Sequence, residues 1–152
     1  MYFYEKIKEM CKDKETVMYV DMDGVIAAYD FGNPLDFAKK RPLLTNIKKL
    51  EEISKLENIE LKILSACKKD FQIDEKNVWL DKYAPFFKQE NRIILSREKY
   101  DNELSCNLKA QYLNSIDEDR QVILLDDDNN VLKVVSKSVD NVICIQDSEM
   151  ID

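Results

Sequence analysis

The sequence predicts an α/β protein with a Rossmann-like, doubly wound, mainly parallel sheet of five strands and helices on both faces. Three observations support this prediction. Short apolar, β-favouring runs alternate with amphipathic segments along the chain. The strand-like runs are almost continuously apolar, as expected of strands buried on both faces. No internal repeat or low-complexity linker interrupts the 152 residues, so we expect a single domain over residues 1–152.

Each element follows from the spacing of its apolar residues. Residues 17–21 are β-favouring, and residues 42–56 carry leucine and isoleucine at helical spacing with charged residues between them. Glycine, asparagine and proline at positions 32–34 predict an irregular segment between these two elements. The predicted helices cover residues 2–12, 42–56, 74–83, 104–116 and 131–136, and the predicted strands cover residues 17–21, 60–65, 92–96, 121–126 and 141–145.

The helix predicted over residues 74–83 has the clearest boundary. Pro85 ends it, since proline cannot continue a helix. We expect Val78, Trp79 and Leu80 to face inward, and Trp79 to belong to the core rather than to a base-stacking site.

Composition excludes several classes of chemistry. The chain has no histidine, and its four cysteines, Cys11, Cys67, Cys106 and Cys144, form no CxxC pair. A zinc site of the common kind, a Ser-His-Asp triad and a Cys-His pair are therefore not expected. We expect free thiols in a reducing compartment.

Net charge and hydropathy limit the classes of partner that we expect. The formal net charge is −7, with acidic and basic residues interspersed, so no polymeric nucleic acid is expected as a partner. No segment approaches the roughly 20 apolar residues that a membrane span needs, and the first 15 residues lack the apolar core of a signal peptide. These features predict a cytoplasmic protein without a membrane partner, and they leave its oligomeric state open.

The most informative local pattern is the pair Asp21 and Asp23 at the end of the first strand, with Gly24 directly after it. The two carboxylates would share a face if the strand continued regularly. Carboxylates so close repel each other, and they persist together when a cation lies between them or when one keeps its proton. Gly24 is one of only two glycines, which indicates that the backbone requires glycine there.

Polar side chains also end the other predicted strands. Ser65 ends the second strand, Arg97 and Lys99 follow the third, and Asp126 and Asp127 end the fourth. Ligands of such sheets bind beyond the carboxyl ends of the strands, so we expect these groups at one edge. Carboxylates, a hydroxyl and a cation are the groups that phosphoryl transfer through an aspartate requires.

In this order, the groups resemble the four motifs of the haloacid dehalogenase-like superfamily: DxDG after the first strand, then serine, lysine and a pair of aspartates. The resemblance covers roughly residues 17–145. DMDGVIA at positions 21–27, RPL at 41–43 and ILSA at 63–66 are similar to the 5′(3′)-deoxyribonucleotidase group. The resemblance implies a Mg²⁺-dependent phosphomonoesterase that hydrolyses a small phosphate ester, such as a deoxynucleoside monophosphate, through an aspartyl-phosphate intermediate.

The resemblance also implies a role for each residue. Asp21 would be the nucleophile, and Asp23 would be the acid–base group with a raised pKa. Ser65 would bind the phosphoryl oxygens, and Lys99 would neutralise the developing charge. The implied substrate-binding residues are Gly24, Arg41, Ser65, Ala66 and Lys99. The implied Mg²⁺ ligands are Asp21, Asp23 through its backbone carbonyl, Asp126 and Asp127.

Several alternatives remain open at this stage. Arg97 and Lys109 compete with Lys99 for the cationic role. Which aspartate of residues 126–128 binds metal is not settled, and Asp128 is expected to cap a helix. Residues 28–41 are expected to form a short cap-like insert, whose candidate substrate contacts are Tyr29, Phe31, Phe37 and Arg41.

Other functions also fit part of the pattern. A phosphatase acting on sugar phosphates and an inactive scaffold of the same fold used for binding are the main alternatives. A phospho-accepting receiver module would need an aspartate after the third strand. The sequence there is ILSR, without one.

Overall fold

The structure is a computed structural model that describes residues 2–29 and 36–152. The strands are β1 (Thr16–Val20), β2 (Ile59–Cys67), β3 (Arg92–Ser96), β4 (Gln121–Asp126) and β5 (Val142–Gln146). The helices are α1 (Phe3–Met10), α2 (Leu44–Ser54), α3 (Phe71–Tyr83), α4 (Ser105–Ser115) and α5 (Asn129–Ser138). These strands form one sheet in the order β3-β2-β1-β4-β5, and every pairing is parallel. The predicted fold class is therefore confirmed.

The core has two layers, one on each face of the sheet. Alternate side chains of β1 divide between them, since Met18 belongs to one layer and Tyr19 to the other. Helices α1, α2 and α3 contribute buried residues to the first layer, and α4 and α5 contribute to the second. The order of the strands reverses at β1, which places the topological switch point between β1 and β4. In sheets of this kind, ligands bind beyond the carboxyl ends at that point.

Element boundaries differ from the predictions by a few residues. Strand β2 continues to Cys67, so Ser65 lies inside the strand rather than at its end. The expectation that Val78 faces inward was wrong, because Val78 is 65% exposed whereas Trp79 and Leu80 are buried. Successive residues of a helix are turned by about 100°, so three in a row cannot all face one core.

The described part of the predicted insert packs against α3. Residues Phe37–Lys39 form a short 3-10 helix. The rings of Phe37 and Trp79 meet edge to face, with their centroids 5.7 Å apart. Trp79 Nε1 also donates a hydrogen bond to the backbone carbonyl of Lys40, at 3.0 Å. Trp79 is thus a core residue, as expected, and it fixes the end of the insert.

Other expectations for the insert are not tested. Phe31 and positions 32–34 lie outside the described residues, and the division into one domain with a cap-like insert stays a prediction. No helix within residues 2–29 and 36–152 is both long and apolar enough to cross a membrane.

Candidate metal and phosphate site

The ends of β1 and β4 bring two aspartates together. Val20 and Leu125 are register partners, and the pairing continues for one residue because the backbone N–H of Asp21 donates to the carbonyl of Leu125, at 3.0 Å. Asp21 and Asp126 are consequently neighbours at the switch point. Both are buried, with 6% and 0% of their surface exposed.

Gly24 lets the chain leave β1 sharply. Its φ is +80°, in the left-handed region that favours glycine. A Cβ atom at this position would lie 2.2 Å from Oδ2 of Asp127 and 2.8 Å from the Tyr29 ring. The residue therefore needs both the backbone freedom and the small volume of glycine, as the sparing use of glycine indicated. A larger residue would displace Asp127.

Asp21, Asp126 and Asp127 form what we call the aspartate cluster. One carboxylate oxygen from each lies within 4.8 Å of the others. Lys109 of α4 provides the cation beside them. Its Nζ is 3.0 Å from Oδ1 of Asp21 and 2.7 Å from Oδ2 of Asp126. Two of the three carboxylates thus share one buried ammonium group, and Asp127 does not contact it.

The electrostatics of the aspartate cluster favour the binding of a further cation. Burial raises the pKa of Asp21, and the charges of neighbouring aspartates add to the rise against the opposing charge of Lys109. Burial likewise raises the pKa of Asp126, and it raises that of Asp127 to about 6. Burial lowers the pKa of Lys109, but Asp21 and Asp126 outweigh it and raise the pKa overall.

One atom of the cluster lacks the donor that a buried oxygen requires. Within the described residues, Oδ1 of Asp127 is buried and has no hydrogen-bond donor. The carboxyl group of Asp21 faces Asp127 and can donate to it only while Asp21 keeps its proton, so once both groups are ionised this oxygen needs a cation instead. The other oxygen, Oδ2, accepts a hydrogen bond from the hydroxyl of Tyr29. A set made only of carboxylate oxygens, with one of them unsatisfied, fits a hard cation such as Mg²⁺.

Asp23 has a different environment from Asp21, although only one residue separates them. Its carboxylate forms ion pairs with Lys40 of the insert and with Lys76 of α3, whose Nζ is 3.1 Å from Oδ2. Lys76 also donates to the Ser65 hydroxyl at 2.6 Å and to the Ala66 carbonyl at 3.0 Å. We call Asp23, Lys40, Lys76 and Ser65 the lysine clamp.

The lysine clamp reverses the expected behaviour of Asp23. Burial alone would raise the pKa of Asp23, but the charges and hydrogen bonds of Lys76 and Lys40 lower it below its ordinary value. The expectation that Asp23 keeps its proton was wrong, because the sequence did not reveal the two lysines. Asp23 is ionised and its carboxylate is held by ammonium groups, so it is not one of the three clustered carboxylates.

Two other candidates lie away from this site. Lys99 is exposed on the 3-10 helix Arg97–Tyr100, and it is Lys109 that contacts Asp21. The choice of Lys99 was wrong because α4 carries Lys109 directly over the ends of β1 and β4. Arg41 is also exposed, and it lines a shallow depression at the start of α2 instead of the site.

Two lysines of the site were missed at the sequence level. Lys76 carried a usable signal, since it lies three and four residues before the buried Trp79 and Leu80 and so on the same face of α3. A buried lysine on an apolar face needs a carboxylate partner. Lys40 carried no such signal, because its position depends on how the insert folds back. Asp128 caps α5 by accepting from the N–H of Asn130, as expected.

Two adjacent depressions lie at this edge of the sheet. A small one of about 120 Å³ contains the aspartate cluster and Lys109. A larger groove of about 290 Å³ contains the charged residues of the lysine clamp. The two share walls made by Asp23, Tyr29, Ala66 and Ser105. The groove therefore lies directly beside the depression that contains the aspartate cluster.

Comparisons with known proteins show the fold but no family. No family model and no curated protein match the chain. A chain in the structure of the Pnkp1/Rnl/Hen1 complex has a TM-score of 0.68 and 16% identity, over 88% of this chain and 46% of that one. A chain in the structure of the Pnkp1/Rnl/Hen1 RNA repair complex has a TM-score of 0.68 and 17% identity, over 88% and 42%. This chain spans less than half the length of either, and at such identities the likeness shows the fold alone.

These findings correct the predicted family and activity. Both solved structures are of a Pnkp1/Rnl/Hen1 complex, which one of them describes as an RNA repair complex, and no family model or curated protein supports the haloacid dehalogenase-like superfamily. The prediction of a nucleotidase-like phosphatase for small phosphate esters is therefore wrong, together with its sugar-phosphate and inactive-scaffold alternatives. The exclusion of polymeric nucleic acid is contradicted as well. Short acidic and basic motifs at strand ends indicate which charged groups meet at one edge of the sheet. Unrelated families can share such groups, so the motifs do not identify a family.

Proposed function

We propose that this chain is a Mg²⁺-dependent phosphoryl-transfer domain that acts on the phosphorylated end of an RNA strand. The observation that carries the proposal is the aspartate cluster with its unsatisfied Asp127 oxygen, beside fixed ammonium groups at the topological switch point. RNA repair as the setting is suggested by the complexes that contain the similar folds. The fraction of those chains that this chain covers suggests that it works with further domains or partner proteins.

The proposed metal ligands are Asp21, Asp126 and Asp127. Bound there, Mg²⁺ would offset the carboxylate charge and withdraw electron density from phosphate oxygens. Lys109 holds Asp21 and Asp126 in place, so their geometry is set before the substrate arrives. Its ammonium group also adds a fixed positive charge beside the position that the phosphate would occupy.

The lysine clamp would provide the general base, Asp23, which accepts the proton of the attacking group. Asp23 is ionised, so it can accept the proton of an attacking hydroxyl group as the new P–O bond forms, and it can return that proton to the oxygen whose bond to phosphorus breaks. Lys40 and Lys76 keep its carboxylate charged and oriented. Ser65 accepts a hydrogen bond from Lys76 and so helps to hold this lysine in place. Placing Asp23 between the two depressions puts this base next to the reacting phosphate.

The test follows the terminal phosphate of a short RNA labelled at one end. We expect Mg²⁺-dependent transfer of that phosphate to a hydroxyl acceptor, with a 5′-phosphorylated and a 3′-phosphorylated RNA tested separately. Asp21→Asn should lower the rate at least 100-fold, because it removes one charge from the metal site and one partner of Lys109.

Asp140→Asn is the matched control. Asp140 is exposed beyond the end of α5, at the opposite edge of the sheet, and the chemical change is the same. This variant should keep the wild-type rate. A Mg²⁺-independent reaction, or full activity in Asp21→Asn, would contradict the proposed function.

We also propose a cytoplasmic location. All four cysteines are free, and Cys11 and Cys67 are buried. Unpaired thiols are typical of a reducing compartment. Localisation of the tagged protein in intact cells tests this proposal, and secretion would contradict it.

A further inference from the structure

The groove beside the aspartate cluster has the opposite charge balance to the chain as a whole. The chain carries 30 acidic and 23 basic residues. Among the described residues, the groove is lined by the cations Lys40, Lys68, Lys76 and Arg97, with Asp23 as the carboxylate. A basic groove on an acidic protein indicates an anionic ligand, since the rest of the surface repels anions.

Two of these cations are not used by the proposed chemistry. Lys68 and Arg97 follow Cys67 and Ser96, which are register partners on β2 and β3. They therefore begin adjacent loops at the same edge, on strands about 5 Å apart. Lys68 is exposed and Arg97 partly buried. Their position on the far side of the groove from the aspartate cluster suggests contact with a ligand that extends past the reacting phosphate.

Both loops are held in place before any ligand arrives. The Gln72 side-chain carbonyl is buried and accepts from the backbone N–H groups of Lys68 and Lys69, both at 3.0 Å. Arg97 donates to the carbonyls of Glu103 and Asn102 at 2.7 and 2.8 Å. A guanidinium has five N–H donors, so Arg97 can keep these bonds and also bind a phosphate.

We infer that the groove binds an internal phosphodiester of a single RNA strand, through Lys68 and Arg97, while the end of the strand reaches the aspartate cluster. This inference rests on the proposed function, because it takes RNA as the strand whose end reacts. It narrows the substrate class to a chain of at least two phosphates, and it makes a free mononucleotide a poor substrate. The two depressions are adjacent and share four lining residues, so the end of the strand and its internal phosphodiester would occupy neighbouring positions.

The experiment measures binding of a six-nucleotide RNA with hydroxyl groups at both ends and a fluorescent label on an internal base. This RNA has no terminal phosphate to transfer, so its binding is independent of the reaction. Anisotropy titrations with Mg²⁺ between 50 and 200 mM salt should show affinity falling with salt, by a slope of about 0.7 per phosphate contact. Lys68→Glu should weaken binding at least tenfold at low salt and make the slope shallower by about 0.7.

Lys137→Glu is the matched control, since it changes the net charge equally. Lys137 is exposed in the last turn of α5, at the opposite edge of the sheet. It should leave affinity within about twofold of wild type. A nucleoside monophosphate should bind wild type and Lys68→Glu equally, because it has no internal phosphodiester. Equal losses in both lysine variants would overturn the inference.

Two further outcomes separate the proposals. A phosphorylated peptide of equal charge that competes as well as the RNA would overturn RNA as the occupant. If RNA binding depends on Lys68 but no reaction occurs at phosphorylated ends, the inference that the groove binds a phosphodiester is retained and the proposed function is rejected. If Lys68→Glu changes neither the reaction at RNA ends nor the binding of the RNA, the proposed function is supported and the inference about the groove is rejected.

Discussion

The aspartate cluster and the lysine clamp lie side by side at the carboxyl edge of the sheet, and their charge balances are opposite. In the cluster, three carboxylates lie together and Lys109 pairs with only two of them, Asp21 and Asp126. In the clamp, Lys40 and Lys76 share the single carboxylate of Asp23. Burial raises the carboxylate pKa values in both places, but the two lysines reverse the effect at Asp23.

The difference shows which of the two groups has unbalanced charge and an unsatisfied hydrogen-bond acceptor. The clamp is complete, because its carboxylate and both ammonium groups have partners within the described residues. The aspartate cluster has a surplus of negative charge and one oxygen without a donor. Within the described residues, only the aspartate cluster thus carries carboxylate charge that its neighbours do not balance. Asp21 and Asp23 are only two positions apart in the sequence, but they have different electrostatic environments because different segments of the chain supply their lysine partners.

The largest expected effect comes from removing the one cation of the aspartate cluster. Lys109→Met leaves buried carboxylates unpaired, so the free energy of unfolding in EDTA should fall by about 3 to 5 kcal/mol. Mg²⁺ should recover part of this loss by replacing the missing charge. Urea denaturation with and without Mg²⁺ measures both effects. Lys40→Met is the comparison, and its loss should be smaller because Asp23 keeps Lys76. Equal losses of unfolding free energy in Lys109→Met and Lys40→Met would contradict the difference between the aspartate cluster and the lysine clamp.

A second prediction concerns pH. A carboxyl group whose folded pKa is raised holds its proton more tightly in the folded state, so stability falls as pH rises from about 4 to the folded pKa. Asp21 and Asp127 act in this direction, the latter up to about pH 6. Asp23 is already ionised and contributes no such fall. Stability in EDTA should therefore decrease between pH 4 and 6, by up to about 1.4 kcal/mol per pH unit for each proton released.

Mg²⁺ should oppose this trend, because it binds the ionised carboxylates and its affinity rises as their protons leave. At ten times its Kd, it should add about 1.4 kcal/mol at pH 7.5 and less at pH 5. Thermal denaturation across pH checks both curves. Asp127→Asn should show a smaller fall in EDTA and little response to Mg²⁺. A Mg²⁺ effect that survives in this variant would place the metal elsewhere.

The smallest expected effect is in the lysine clamp. Ser65→Ala removes one of the three acceptors of Lys76 and leaves Asp23 and the Ala66 carbonyl in place. The free energy of unfolding should fall by about 1 kcal/mol, the net value of one hydrogen bond. The loss should be the same with and without Mg²⁺ in urea titrations, since Ser65 lies outside the aspartate cluster. Dependence of the loss on Mg²⁺ would show that the clusters are coupled.

Much of the fold could be predicted because its signals are local. Each strand and helix was found within a few residues, since apolar runs and helical spacing survive in the one-dimensional sequence. Asp21, Asp126 and Asp127 were also found, because parallel strands end at one edge. The predicted family was wrong, because four short motifs specify that edge and not an evolutionary origin.

By itself, the sequence determined the layered α/β fold, the acidic edge and the need for glycine at position 24. Only the tertiary structure decided which lysine belongs to which aspartate. Lys109, Lys76 and Lys40 come from α4, α3 and the insert, far from Asp21 and Asp23 along the chain. Charge balance depends on distances of a few ångströms between such segments, and those distances are set by packing rather than by local pattern. The division between a cluster with surplus negative charge and a clamp whose charges are paired is therefore a property of the folded protein.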